Sequence, residues 1–124
     1  MARILIIDDD PMIRDILRVT LEREGHEVIE AQHGLEALQH FQTAPADLVI
    51  TDILMPEKDG LETIRDLRQI SPTVKIIAMS GGGRTKRLNL LDAAMHLGAQ
   101  RTLLKPFTIE EILELVRELL NPSP

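Results

Sequence analysis

Short apolar runs alternate with longer amphipathic segments along the whole chain. The first run, Arg3-Ile4-Leu5-Ile6-Ile7, is continuous and rich in β-branched residues, which is typical of a strand buried on both faces. Apolar residues at helical spacing follow it, and the same alternation recurs as far as the last segment. The pattern predicts strands over Arg3–Ile7, Glu27–Ala31, Asp47–Thr51, Lys75–Met79 and Thr102–Leu104.

Capping and turn residues set the predicted helix boundaries. Asp10 precedes Pro11, which is an N-cap followed by proline at the first helical position. Thr108 and Glu111 form a capping box that begins the last helix. The helices are predicted between Pro11 and Gly25, over Leu35–Phe41 and Leu61–Ile70, from near Leu88 to Leu97, and from Thr108 to Leu120, with Met55–Gly60 as a loop.

Five strand–helix units with buried strands predict a parallel sheet covered by helices on both faces. Of the two strand orders common in such doubly wound α/β folds, 2-1-3-4-5 suits five strands and gives a flavodoxin-like (βα)5 architecture. In either order, the ligand site lies beyond the carboxyl ends of the strands, near the point where the strand order reverses. The length of 124 residues fits one domain over residues 1–124, and we expect no output domain.

Composition removes several classes of function. The chain has no cysteine, which excludes disulfides and cysteine-ligated metals. The net charge of −6 argues against direct nucleic-acid binding, and aromatic residues are too few for base stacking at 2%. No apolar run approaches the ~18 residues needed to cross a bilayer, and the N-terminus lacks the layout of a signal peptide. We therefore expect a cytoplasmic protein without a nucleic-acid or membrane partner.

Chemically suggestive residues follow four of the five predicted strands. Asp8 and Asp9 follow the first strand, Asp52 follows the third, Ser80 the fourth and Lys105 the fifth. In the order 2-1-3-4-5 the first and third strands are neighbours, so three carboxylates crowd together and repel one another unless a cation offsets them. Mg²⁺ is suitable because it prefers oxygen ligands and combines a few carboxylates with water and phosphate.

The same set of groups can transfer a phosphoryl group. Such a transfer needs an oxygen nucleophile, charge neutralisation and alignment. Asp52 can be the nucleophile and form an acyl phosphate, while Lys105 supplies positive charge and Ser80 a hydroxyl for a phosphoryl oxygen. Each residue alone has an ordinary interpretation as a cap, a loop hydroxyl or a surface charge, and Asp10 is better explained as an N-cap. Their coincidence at one sheet edge favours the functional interpretation.

These motifs resemble the receiver domain of two-component response regulators over essentially the whole chain, in the stand-alone form of chemotaxis regulators. The resemblance rests on Asp8-Asp9 after Ile-Leu-Ile-Ile, Asp52 in Thr-Asp-Ile-Leu-Met-Pro-Glu-Lys-Asp-Gly, Ser80, and Lys105-Pro106-Phe107. It implies a phosphorylation switch rather than an enzyme. The phosphoryl donor would be a phosphohistidine on a histidine kinase or a histidine phosphotransfer protein.

The resemblance also assigns roles to individual residues. Asp52 matches the phosphoacceptor, and Asp8 and Asp9 match the acidic pair that binds Mg²⁺ together with Asp52 and the backbone carbonyl of Leu54. Lys105 matches the lysine of the family, whose bond to the following proline is usually cis.

Ser80 matches the switch hydroxyl, but two neighbouring features depart from the family pattern. The switch position that is commonly aromatic in the family is Thr102 here, so no ring can report phosphorylation to a partner. The segment Gly81–Arg87 is longer than in chemotaxis-type relatives and carries basic residues. We expect that segment to move on phosphorylation. Leu54 and Gly82 offer no polar group at the two positions that tune dephosphorylation in the family.

Three alternatives compete with an active receiver. A haloacid-dehalogenase-type phosphatase also uses an aspartyl nucleophile and Mg²⁺, but Pro11 follows Asp8-Asp9-Asp10 and the threonine-containing continuation of that family is missing. A flavodoxin-like electron carrier needs a hydroxyl-rich phosphate loop and aromatic residues beside the flavin, and the sequence has neither. A degenerate receiver acting as a constitutive adaptor would lack part of the acidic, serine and lysine set.

Overall fold

Five parallel strands form one sheet in the order β2-β1-β3-β4-β5. The computed structural model describes residues 2–53, 60–81 and 92–120. The strands are β1 (Arg3–Ile7), β2 (Glu27–Ala31), β3 (Leu48–Asp52), β4 (Lys75–Ser80) and β5 (Arg101–Leu104). This topology confirms the predicted doubly wound α/β fold and its strand order.

Helices cover both faces of this sheet. They are α1 (Pro11–Arg23), α2 (Gly34–Thr43), α3 (Gly60–Ile70), α4, which includes residues 92–97, and α5 (Ile109–Leu120). The predicted caps are confirmed. An Asp10 carboxylate oxygen accepts the Met12 amide at 2.9 Å, and Thr108 and Glu111 exchange hydrogen bonds of 3.1 and 2.9 Å.

Three predicted boundaries near the carboxyl edge of the sheet were wrong by one residue, and one of them is the end of β3, which lies at Asp52 rather than at Thr51. Gly60 is the first residue of α3 rather than part of a loop, and its amide donates to the Ile53 carbonyl at 2.7 Å. A Cβ at Gly60 would lie 2.2 Å from the Asp52 carbonyl oxygen, so only glycine lets the helix begin this close to the strand. Strand β4 continues through Ser80, which makes Ser80 a strand residue.

One helix cap was not predicted from the sequence. Helix α2 begins one residue earlier than predicted, at Gly34, because the His33 side chain is its N-cap. The Nδ1 atom of His33 accepts the Glu36 amide at 3.3 Å. Histidine is a rare cap, so this helix start had no recognisable sequence signal.

The apolar core lies on both faces of the sheet. Alternate residues of β1 divide between the faces, with Leu5 and Ile7 in one cluster and Ile4 and Ile6 in the other. All four are at most 1% exposed, which explains why the strand reads as a continuous apolar run. Burial of each such side chain contributes roughly 1.5–3 kcal/mol, so the strands form a rigid base for the residues at their carboxyl ends.

Several predictions concern residues outside the described part of the chain. These are the Leu54 carbonyl, the turn over residues 55–59, Gly82, and the basic residues Arg84, Lys86 and Arg87. None of the helices in the described ranges is long and apolar enough to cross a bilayer.

Candidate functional site

The register of the sheet brings Asp8 and Asp52 side by side. Ile7 of β1 pairs with Thr51 of β3, so Asp8 and Asp52, the residues that follow them, lie at the same edge of the sheet. The Asp8 amide still donates to the Ala31 carbonyl at 3.2 Å, which extends the pairing of β1 with β2 by one residue. Both carboxylates are therefore held at the ends of strands that are hydrogen-bonded to their neighbours.

Three carboxylates meet at this edge. Asp8 is fully buried, Asp52 is 7% exposed, and Asp9 is exposed. One oxygen from each of them lies within 4.8 Å of the other two. Like charges this close are unfavourable without a cation, and carboxylate oxygens are ligands that Mg²⁺ prefers. The three side chains thus fit a divalent metal, as the sequence predicted for this edge.

Lys105 provides a fixed cation beside two of these carboxylates. Its Nζ lies 2.7 Å from an Asp8 oxygen and 3.4 Å from an Asp52 oxygen. Its backbone amide donates to the Ser80 carbonyl at 2.9 Å, and the Lys105–Pro106 bond is cis, as predicted. A Cβ at Gly81 would lie 3.2 Å from the Lys105 Cβ, so a glycine there leaves room for the lysine stem.

Burial and charge shift the pKa values of Asp52 and Lys105. Burial raises the pKa of Asp52 to about 6, and the negative charge of Asp8 adds to this rise while Lys105 opposes it. Burial lowers the pKa of Lys105, but its hydrogen bond to Asp8 and the charge of Asp52 outweigh that effect and leave it raised. At pH 7 the pair is therefore mainly a carboxylate and an ammonium ion.

Ser80 presents a buried hydroxyl at the neighbouring strand end. Strand β4 pairs with β3 so that Met79 lies opposite Asp52, and Ser80 follows directly. The Ser80 side chain is 1% exposed, and its Oγ has no hydrogen-bond partner among the described residues. A buried hydroxyl without a partner is costly, so this atom has unused capacity for a ligand oxygen.

Thr102 stands apart from this cluster. It lies three residues before Lys105, is half-buried on β5, and pairs with Ala78 of β4. It lines a groove of about 410 Å³ between β5 and α5, together with Leu104 and Glu114. The structure thus brings together Asp8, Asp9, Asp52 and Lys105, with Ser80 at the next strand end and Thr102 outside the acidic cluster.

Two residues at this edge were missed by the sequence analysis. Gly60 was assigned to a turn, although its missing side chain is what lets α3 approach Asp52. Arg14 was not singled out in the sequence, yet its guanidinium donates to the Asp8 carbonyl at 2.6 Å. Nothing in the spacing of charged residues on that helix distinguishes Arg14 from Arg18, so no sequence signal could have found it.

Comparisons with known proteins identify the family to which this fold belongs. The family model for the response regulator receiver domain matches residues 4–117. The chemotaxis protein CheY of Bacillus subtilis is 34% identical over 96% of this chain and 98% of its own length. The response regulator MprA of Mycobacterium sp. (strain KMS) is 40% identical over 97% of this chain, which spans 51% of that relative.

Solved structures give the same result. A response regulator receiver domain protein from Clostridium thermocellum superposes with a TM-score of 0.89 at 32% identity, covering 98% of this chain and 95% of that one. The receiver domain of NtrX from Brucella abortus superposes with a TM-score of 0.89 at 28% identity, covering 97% and 99%.

The chain belongs to the response regulator receiver domain family. Receivers of this family are phosphorylation switches in two-component signal transduction rather than conventional enzymes, and they generally bind Mg²⁺ at an acidic pocket. The aspartyl phosphatase and the flavodoxin-like electron carrier are therefore set aside.

Proposed function

We propose that this chain is an active receiver that accepts a phosphoryl group on Asp52 from a phosphohistidine. The donor would be a histidine kinase or a histidine phosphotransfer protein. An Asp52 carboxylate oxygen attacks the phosphorus atom, the P–N bond to the imidazole breaks, and a P–O bond forms to give an acyl phosphate. Phosphorylation then changes the affinity for a downstream protein partner.

The state of the Asp52 carboxylate supports its role as nucleophile. Its pKa of about 6 leaves it mainly ionised at pH 7 while keeping it more basic than an ordinary aspartate. Burial limits the solvent that competes for its oxygens, since the residue is 7% exposed. The single observation that carries the proposal is the convergence of this carboxylate with Asp8, Asp9 and Lys105 at one strand edge.

Lys105 and Ser80 are suited to neutralise the charge of the phosphoryl group and to donate a hydrogen bond to it. The ammonium group of Lys105 already lies 3.4 Å from an Asp52 oxygen, where it can neutralise the charge of an incoming phosphoryl group. The Ser80 hydroxyl, which has no partner in the described part of the chain, can donate a hydrogen bond to a phosphoryl oxygen and would move to do so. Such a movement would pass the phosphorylation state to the surface that a partner reads.

The acidic cluster suits a resident metal ion. Asp8, Asp9 and Asp52 would hold Mg²⁺, with the Leu54 carbonyl as a fourth protein ligand suggested by the family resemblance. When bound, the ion would neutralise the repulsion among the carboxylates and the charge of the phosphoryl oxygens.

Intact-mass measurement after incubation with phosphoramidate and Mg²⁺ tests the proposal. Phosphoramidate is a suitable donor because it carries the same kind of P–N bond as a phosphohistidine. The wild-type protein should gain one phosphoryl group, the Asp52→Asn variant none, and the wild-type protein with excess EDTA little. Asp47→Asn is the matched control, because Asp47 precedes the same strand at its opposite end.

Each result bears on a different alternative. Labelling of Asp52→Asn would move the acceptor to another carboxylate, most simply Asp9. An unlabelled wild-type protein would replace the proposal with a degenerate receiver that acts as a constitutive adaptor.

A further inference from the structure

Arg14 connects the edge strand of the sheet to the backbone of the acidic cluster. Its Nη1 donates to the Asp8 carbonyl oxygen at 2.6 Å, and its Nε donates to a Glu30 carboxylate oxygen at 3.2 Å. Glu30 belongs to β2 and pairs in register with Ile6 of β1. The guanidinium therefore bridges a rigid strand and the first residue beyond the neighbouring strand.

This contact restrains the peptide unit that leads to Asp9. The Asp8 carbonyl and the Asp9 amide belong to one planar unit, so fixing the oxygen also fixes the direction in which the chain continues. The Asp8 carboxylate is held separately by the Asp10 amide at 2.9 Å and by Lys105 at 2.7 Å. Among the described residues, no hydrogen bond or ion pair holds the Asp9 side chain itself.

Burial gives the Arg14 bridge its rigidity. The Arg14 side chain is 13% exposed, whereas that of Arg18 is 34% exposed. The planar guanidinium forms both bonds without reorganising, which a lysine could not do. A hydrogen bond to a charged donor in this environment is stronger than an exposed one.

We propose that Arg14 is a positioning residue. By donating to both the Asp8 carbonyl and the Glu30 carboxylate, it orients the chain so that the Asp9 carboxylate points to the metal site. This inference rests on the proposed function, since it concerns the same Mg²⁺ site. The Arg14 guanidinium bonds to the Glu30 carboxylate and the Asp8 backbone carbonyl, and to none of the three carboxylates that would hold the metal. Its contribution appears as metal affinity, and through that affinity as the rate of phosphorylation at limiting Mg²⁺.

The sign of the effect separates positioning from simple electrostatics. A cation close to a metal site repels Mg²⁺, so loss of an arginine charge alone should strengthen Mg²⁺ binding. Loss of a residue that positions a ligand should weaken it, typically on the order of tenfold or more for groups that orient metal ligands. The two explanations thus predict opposite shifts for the same substitution.

Calorimetric titration with Mg²⁺ measures this shift directly, which is convenient because the chain has no Trp or Tyr to report binding by fluorescence. We expect Arg14→Met to raise the Mg²⁺ dissociation constant on the order of tenfold. Arg18→Met is the matched control. Arg18 lies one turn further along α1 and also pairs with Glu30 at 3.3 Å, but it does not contact Asp8. That variant should bind Mg²⁺ at least as tightly as the wild-type protein.

Phosphorylation kinetics supply a second measurement that a purely structural defect would not reproduce. With phosphoramidate as donor, Arg14→Met should need more Mg²⁺ for half-maximal labelling, while its rate at saturating Mg²⁺ should approach that of the wild-type protein. If Arg14→Met does not fold, Arg14→Lys decides the question, since it retains the charge but lacks the planar fork and should also bind Mg²⁺ more weakly.

Two outcomes would overturn the inference. The first is unchanged or tighter Mg²⁺ binding by folded Arg14→Met, or by Arg14→Lys where Arg14→Met does not fold. That result rejects the role of Arg14 and leaves the proposed function intact. A wild-type protein that binds no Mg²⁺ rejects the proposed metal site and the inference together.

Discussion

The two ends of the strands carry similar charged residues in very different surroundings. Strand β5 begins at Arg101, which pairs with Glu118, and these side chains are 44% and 45% exposed. Just beyond the other end of the same strand, Lys105 pairs with Asp8, and these side chains are 20% and 0% exposed. Strand β3 has the same asymmetry, with an exposed aspartate before it and the buried Asp52 at its end.

Both ends of the strands carry charged residues, so the carboxyl end differs from the amino end in the burial of its charges rather than in their number. An exposed ion pair contributes little because water and salt screen it. Buried charges interact more strongly with one another, but their removal from water is unfavourable. A proton, a metal ion or a phosphoryl group that changes the local charge therefore has a large effect on them. Arg101, Glu118 and Asp47 thus stay in solvent near the amino ends of the strands, whereas Asp8 and Asp52 are buried at the carboxyl ends.

The largest expected effect comes from Lys105 compared with Arg101. Lys105→Met should lower the free energy of unfolding by about 3 kcal/mol in metal-free protein, because it leaves the buried Asp8 carboxylate without its cation. Arg101→Met should change it by no more than about 0.5 kcal/mol, because that pair is exposed. Urea unfolding followed by far-UV circular dichroism measures both. Similar losses in the two variants would contradict the contrast between the ends of β5.

A smaller effect of opposite sign is expected at Asp52. Its folded-state pKa of about 6 exceeds the ordinary value near ~4, so the folded protein binds this proton more tightly than the unfolded chain does. Metal-free stability from this group therefore falls as the pH rises from about 4 to about 6 and is flat above that. Asp52→Asn should be more stable than the wild-type protein by about 2 kcal/mol at pH 7.5.

The pH dependence of stability and a control variant test whether burial of the Asp52 carboxylate causes the stability gain of Asp52→Asn. The advantage of Asp52→Asn should shrink toward zero as the pH approaches about 4, where the wild-type carboxyl is also neutral. Asp47→Asn should show no comparable gain, because Asp47 is exposed and its carboxylate accepts the Arg3 amide at 2.8 Å. A stability loss for metal-free Asp52→Asn would reject the view that burial and repulsion strain the site.

The smallest effect is expected at the amino end of the sheet. Arg3 and Glu27 pair at 3.2 Å with side chains that are 36% and 61% exposed. Glu27→Gln should lower the free energy of unfolding by about 0.5 kcal/mol or less, and the loss should vanish in about 1 M salt. Urea unfolding at low and high salt tests this. A salt-resistant loss comparable to that of Lys105→Met would remove the distinction between the two edges.

Sequence patterns alone predicted the five strands to within one residue at each end, most helix boundaries and the edge at which the reactive groups lie. Continuous apolar runs predict strands buried on both faces, and parallel strands share one carboxyl edge, so Asp8, Asp52 and Lys105, which lie at the carboxyl ends of three strands, must converge there. Local capping chemistry at Asp10 and Thr108 was equally readable, because a cap depends on residues only two or three positions away.

Only the tertiary structure decided which of these groups are buried and what holds them. Asp8 and Asp9 are adjacent in sequence, yet one is fully buried and the other exposed. Lys105 reaches Asp8 across 97 positions of the chain, and Arg14 contacts the Asp8 carbonyl while Arg18, one turn further along the same helix, pairs with carboxylates at the surface. Desolvation, pKa shifts and bridging contacts depend on neighbours that are distant in sequence, and these neighbours exist only once the strands and helices have packed.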